Sequence, residues 1–131
     1  MTEIRSYQDE TVIWKVEPAI RNSAGVLVKH ICGNLNANIG AEIGDTGYIR
    51  DRDAEFTAQP VTTDKLLAEL EQTRQTVMKS LERLTGDQLD KKFSRPVSTG
   101  EYFTTRFMMM HLTTHLAYHL GQINYHRRLL D

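Results

Sequence analysis

Apolar residues fall on stretches of helical period in this chain. Leu27, Ile31, Leu35 and Ile39 recur every four residues, which predicts a helix from about Ser23 to Gly44. Asn22 or Ser23 would cap its start, since a short side-chain oxygen can take an orphan amide of the first turn. Gly44 offers a stop. Leu66, Leu70, Thr73, Val77, Leu81 and Leu84 alternate three and four apart, the seam of a second helix from about Asp64 to Leu84. Thr62 or Thr63 would cap it. A third helix is expected from about Gly100 to Leu130, opened by the Ser-x-x-Glu spacing of a capping box at Ser98 to Glu101.

The connections carry weaker patterns. A helical turn is expected at Asp87–Asp90, and an extended piece ends near Pro96. TVIWKV, Thr11–Val16, is the best strand candidate, and it has no partner strand. DTGYIRDRDAEFTAQPV joins the first two helices, and a connection of that length is usually functional or a packed surface loop. The reading is one all-α domain over residues 1–131, an antiparallel helical bundle.

Bulk properties narrow the function. Sixteen basic residues against seventeen acidic ones leave a formal charge of −1 over 131 residues, with no basic stripe to meet nucleic acid or an acidic membrane surface. No apolar run is long enough to span a bilayer. The N-terminus MTEIRSYQDE lacks the apolar core of a signal peptide. With the single cysteine Cys32, this makes a reducing cytoplasm the expectation.

Chemistry concentrates in HLTTHLAYHLGQINYH, His111–His126, which holds four of the five histidines. At about 100° per residue, His111, His115, His119 and His126 lie within an arc of roughly 80°. Met108 shares that arc, so the rings are expected to face the bundle interior. A buried imidazole must satisfy both nitrogens, and a metal ion answers that need for several rings at once. Histidines four apart can converge on one ion, whereas His111 and His119 are about 12 Å apart along the axis and cannot. The helix can therefore offer His111/His115 or His115/His119. A third nitrogen would come from His30 on the first helix, beside Leu27 and Asn34. Three such ligands leave positions open to water.

SAGVLVKHICGNLNANIG and HLTTHLAYHLGQINYHRRLL together resemble the DinB-like superfamily, small four-helix proteins of which many hold a divalent metal through three histidines. The turn WKVEP, Trp14–Pro18, matches the WKP-like turn ahead of the first ligand helix in that superfamily. The resemblance implies His30, His115 and His119 as ligands, with Gly121 and Gln122 completing the H-x-x-x-H…GQ motif. It leaves His111, Asn34 and Gln122 as residues around the ligands. RDRDAEF, Arg50–Phe56, resembles a feature of one subgroup of uncharacterised function. Superfamily members carry a full helix ahead of the WKP-like turn. Here thirteen residues precede Trp14, too short for it. The expectation is three long helices with a shortened or missing first helix, covered by a second copy in a homodimer. A start placed too late in the reading frame is the alternative.

The resemblance implies a metal-dependent enzyme, either a hydrolase or a transferase that uses a small cellular thiol on an electrophile. A non-catalytic metal-binding dimer is the alternative. Three nitrogens suit zinc or nickel, and also iron or copper. RDRDAEF has two readings. Arg50 or Arg52 could face an anionic substrate with Asp53 or Glu55 as base, or the charges could pin the loop as an internal salt-bridge network; the second is favoured. Cys32 lies roughly 200° around the helix from His30 and cannot share its ion. His126, two turns beyond the pair, is read as structural.

Overall fold

Ser23 starts the first long helix, its Oγ accepting the amide of Val26 at 3.3 Å. The computed structural model describes residues 1–97 and 99–131, which form helices and no strand. Six are α-helices: α1 (Thr2–Arg5), α2 (Ala24–Leu35), α3 (Arg52–Phe56), α4 (Thr63–Leu81), α5 (Gly86–Leu89) and α6 (Thr105–Leu130). None of them is long and apolar enough to cross a membrane.

Several boundaries move from their expected places. α2 passes at Asn36 into a π-helical segment, Asn36–Ala41, with bonds from the amide of Gly44 to Ile39 O at 3.0 Å and of Thr46 to Gly40 O at 3.1 Å. The left-handed residue that follows is Asp45, with φ 54°, and not Gly44. Gly44 instead lies against α4, where an added Cβ would stand 2.9 Å from Ser80 Cβ. α6 begins at Thr105, capped by Thr104, whose Oγ1 accepts the amide of Phe107 at 3.2 Å. The expected capping box rests on Ser98, which lies outside the described residues. Thr85 carries a capping box of its own over α5, near the expected turn.

TVIWKV is not a strand. Asp9 accepts the amide of Thr11 at 2.8 Å and starts a 3₁₀ turn, Glu10–Trp14, that delivers Ile13 into the core. An apolar alternation with no second strand gains no ladder bonds, so a capped turn wins. Trp14 then lies across Gly25, where a Cβ would come within 2.7 Å of the indole, and donates to Val61 O at 3.0 Å.

The core joins Ile4 and Ile13 to Leu27, Val28, Ile31 and Cys32 of α2, Leu66 of α4 and Ile123 of α6. The directions of the helices depart from a simple antiparallel bundle. Lys29 pairs with Glu69, Asn36 donates to Thr73 at 3.0 Å, and Gly44 meets Ser80, so α2 and α4 run parallel. Leu27 packs with Ile123 and His126 while His30 meets His119 and His115, so α6 runs against α2. A parallel neighbour requires the chain to return along the whole helix. That is why the connection after Ala41 is long, and it brings Arg50–Phe56 back beside the middle of α2.

Candidate metal centre

His30 projects from the buried face of α2 and is 6% exposed. Across from it, His115 and His119 stand one turn apart on α6, both half-buried. The Nε2 atoms converge: His30 to His115 is 3.2 Å, and His115 to His119 is 3.1 Å. One ligand-type atom from each of the three residues lies within 4.8 Å of the other two. The rings of His30 and His119 meet edge to face at 4.9 Å.

The outward edges of two rings are engaged. His30 Nδ1 lies 2.9 Å from Oε2 of Glu55, which is 6% exposed and comes from α3. Arg50 closes on that carboxylate with two bonds, Nε to Oε1 at 2.6 Å and Nη2 to Oε2 at 2.8 Å. His119 Nδ1 lies 2.7 Å from Gln122 Oε1, and Gln122 in turn donates to Tyr118 Oη at 3.2 Å. Phe56 walls the site with its ring 4.9 Å from that of His30.

Electrostatics keep the cluster neutral. Burial holds His30 below the ordinary imidazole range, against the pull of Glu55 in the other direction. Burial, followed by the neighbouring His119 and His30, holds His115 down to about 4. Imidazoles that resist protonation keep lone pairs available to a metal ion.

The match to known families covers residues 2–131, against the model of a family described as a protein of unknown function (DUF1572). The chain belongs to this family. No curated protein and no solved structure matches it. What the DUF1572 member brings together in space is thus read from its own geometry.

Of the residues singled out in the sequence, His30, His115, His119 and Gln122 come together. His111 does not join them. It is exposed, so the expected inward arc of four rings narrows, and its ring stacks on Phe107 at 6.5 Å and tilts against His115 at 6.3 Å. α6 leaves the body of the protein towards its N-terminal half, so the arc is covered only beyond His111. Asn34, one turn after His30, keeps a buried Oδ1 with no hydrogen-bond partner. His126 is buried elsewhere, with Nδ1 2.7 Å from Tyr7 Oη and Nε2 2.9 Å from Lys15 O.

The contact that sequence reasoning missed is Glu55 on His30. The Arg50–Glu55 pair does pin the loop, as its favoured reading held. It also ends on a histidine nitrogen. Gly33 was the available signal: a glycine in a helix interior costs about 1 kcal/mol against alanine and often marks a close approach. Here a Cβ would lie 2.7 Å from Glu55 Cδ.

Proposed function

We propose that the protein is a DinB-like metal-binding protein in which His30, His115 and His119 hold a divalent ion for catalysis. The observation that carries this reading is the convergence of three Nε2 atoms at 3.1 and 3.2 Å. Donors at 2.0–2.1 Å from a tetrahedral ion lie about 3.3 Å from one another, so little movement separates this arrangement from a ligand set. The ring edges support the fit. With Nδ1–H of His30 directed at Glu55 and of His119 at Gln122, both Nε2 atoms are bare acceptors. One proton on His115 Nε2 could bridge to only one of them, whereas a cation serves all three.

The donor set is uncharged, and Arg50 balances Glu55. A dication there would keep its charge and favour an anionic fourth ligand. Such an ion lowers the pKa of a bound water or thiol and so supplies hydroxide or thiolate at neutral pH. The chain's own carboxylates support this division of labour. Glu55 is committed to Arg50 and His30 and is not free to act as a general base. The buried, unpaired Oδ1 of Asn34, on the same helix face as His30, suits a donor on an incoming ligand. Zinc or nickel fits three nitrogens, and the reaction class is hydrolysis or transfer of a small thiol to an electrophile.

Phe107, Tyr118, Tyr125 and Leu129 form an exposed row along α6. That row supports a homodimer in which a second copy covers the site's outer wall. A monomeric solution mass at high concentration would refute the dimer.

The test of the metal reading is metal content per chain, by elemental mass spectrometry on untagged protein prepared without chelator. Near one ion per chain is expected, lost in the double variant His115→Ala/His119→Ala with helical content retained. Full metal occupancy in that variant, or no uptake by the wild type, overturns the reading.

A further inference from the structure

We propose that Glu55, clamped by Arg50, is a positioning residue that fixes His30 as its Nδ1–H tautomer and aims Nε2 at His115 and His119. This rests on the metal reading for its purpose, but the tautomer itself can be observed without a metal.

Two groups compete for His30 Nδ1. Glu55 Oε2 lies at 2.9 Å, and Arg50 Nη2 at 3.3 Å. If Nδ1 were bare, it would accept from the guanidinium across the longer distance and set its lone pair against a carboxylate oxygen across the shorter one. With the proton on Nδ1, the shorter contact becomes a charge-assisted hydrogen bond, the stronger type. The guanidinium already has two carboxylate bonds and loses little. The contest therefore goes to Glu55, and Nε2 is left as the only bare nitrogen.

The carboxylate is held for this task from several sides. Asp51 caps α3 by accepting the amide of Ala54 at 2.9 Å, which fixes where Glu55 leaves the backbone. Gly33 supplies the room for the carboxyl group beside α2. Phe56 packs on the His30 ring, and Arg52 lies over Phe56 with its guanidinium carbon 5.2 Å from the ring centroid. A carboxylate behind a histidine raises its basicity as a ligand and orients the ring, and removing such a partner typically costs 10–100-fold in metal affinity. The loop of residues 45–62 is thus part of the centre, although none of its side chains is among the three converging histidines.

Histidine tautomers are read directly from long-range ¹H–¹⁵N correlations on metal-free protein, followed by cobalt(II) titration. In the wild type, His30 is expected to carry its proton on Nδ1. Glu55→Gln keeps an acceptor there and should keep the tautomer. Arg50→Met with Glu55→Leu removes both charges together, so no buried charge is left alone. That variant should move the proton to Nε2 and weaken cobalt(II) binding about 10–100-fold. Nε2 protonation of His30 in the wild type overturns the proposal, as does a folded double variant with unchanged tautomer and affinity. Loss of the tautomer in the double variant, with no cobalt(II) uptake by the wild type, would uphold the positioning role and sink the metal reading alone.

Discussion

Gly33 and Glu55 share one space: a Cβ at position 33 would lie 2.7 Å from the carboxyl carbon of Glu55. The carboxylate cannot swing away at no cost, because Arg50 holds both of its oxygens in a buried position. Gly33→Ala should gain about 1 kcal/mol in helix propensity. Against that stands disruption of a buried ion pair, about 3–5 kcal/mol when one partner is left uncompensated. A net loss of about 2 kcal/mol or more is expected in urea unfolding. A stabilised Gly33→Ala protein would mean that Glu55 is not confined.

Metal should act as a staple between distant parts of the chain. His30 and His115 are 85 residues apart in sequence, and ligand binding to the folded state alone adds to stability. At an ion concentration 100 times the dissociation constant, the gain is about 2.7 kcal/mol. For a domain of this size that corresponds to a rise in Tm of roughly 10 °C. Differential scanning calorimetry with and without zinc checks this, and an unchanged Tm argues against occupancy.

Cys32 reports on the core beneath the site. It is 1% exposed, and burial pushes its thiol from 9.0 up to about 11. A raised folded value favours the protonated form, so this contribution to stability is full below about pH 9 and is lost as pH rises towards 11. The loss should be no more than about 3 kcal/mol, from 1.36 kcal/mol per unit. Unfolding midpoints across that alkaline window test the sign. Alkylation of the native protein should be slow throughout and accelerate sharply in denaturant.

Tyr7 anchors the N-terminal segment to α6. His126 Nε2 donates to Lys15 O, which leaves Nδ1 bare to accept the Tyr7 hydroxyl at 2.7 Å. Burial raises the Tyr7 phenol well above its ordinary range, so the donor persists into alkaline solution. Tyr7→Phe would leave a buried acceptor unpaired, at about 1–3 kcal/mol. Chemical denaturation of that variant should show the loss while cobalt(II) affinity at the separate histidine cluster stays unchanged. Weakened cobalt(II) binding would instead couple the anchor to the centre.

How far the sequence could be read depended on where each signal lies. The three long helices are local, written in apolar spacing along α2, α4 and α6, and their existence was legible to within a few residues at most ends. The convergence of His30, His115 and His119 also followed from spacing, with resemblance choosing between the two possible pairs on α6. Direction was not legible, because nothing in the stripe of α4 says that it runs parallel to α2. Glu55 was missed as a partner of His30 for the same reason, since its place depends on the return path of a loop. TVIWKV misled because alternation over a few residues is also what a short capped turn presents when Ile13 alone is buried. His111 was expected inside because a helical wheel gives an angle and says nothing of how far the neighbouring helix extends.

The π-helical segment at Asn36–Ala41 has a consequence for how this family can vary. An apolar residue every fourth position drifts about 40° per step around an ordinary α-helix, enough to carry Ile39 away from the core that Leu27 occupies. The wider π turn takes up that drift, and Ile39 stays buried. Segment length, more than residue identity, then sets the phase of everything downstream. Removing one residue between positions 36 and 41 would let the backbone relax to regular α geometry while rotating the following loop by about 100°. Arg50 and Glu55 would arrive on the wrong side of α2, so a deletion harmless to helix formation would still dismantle the support of His30.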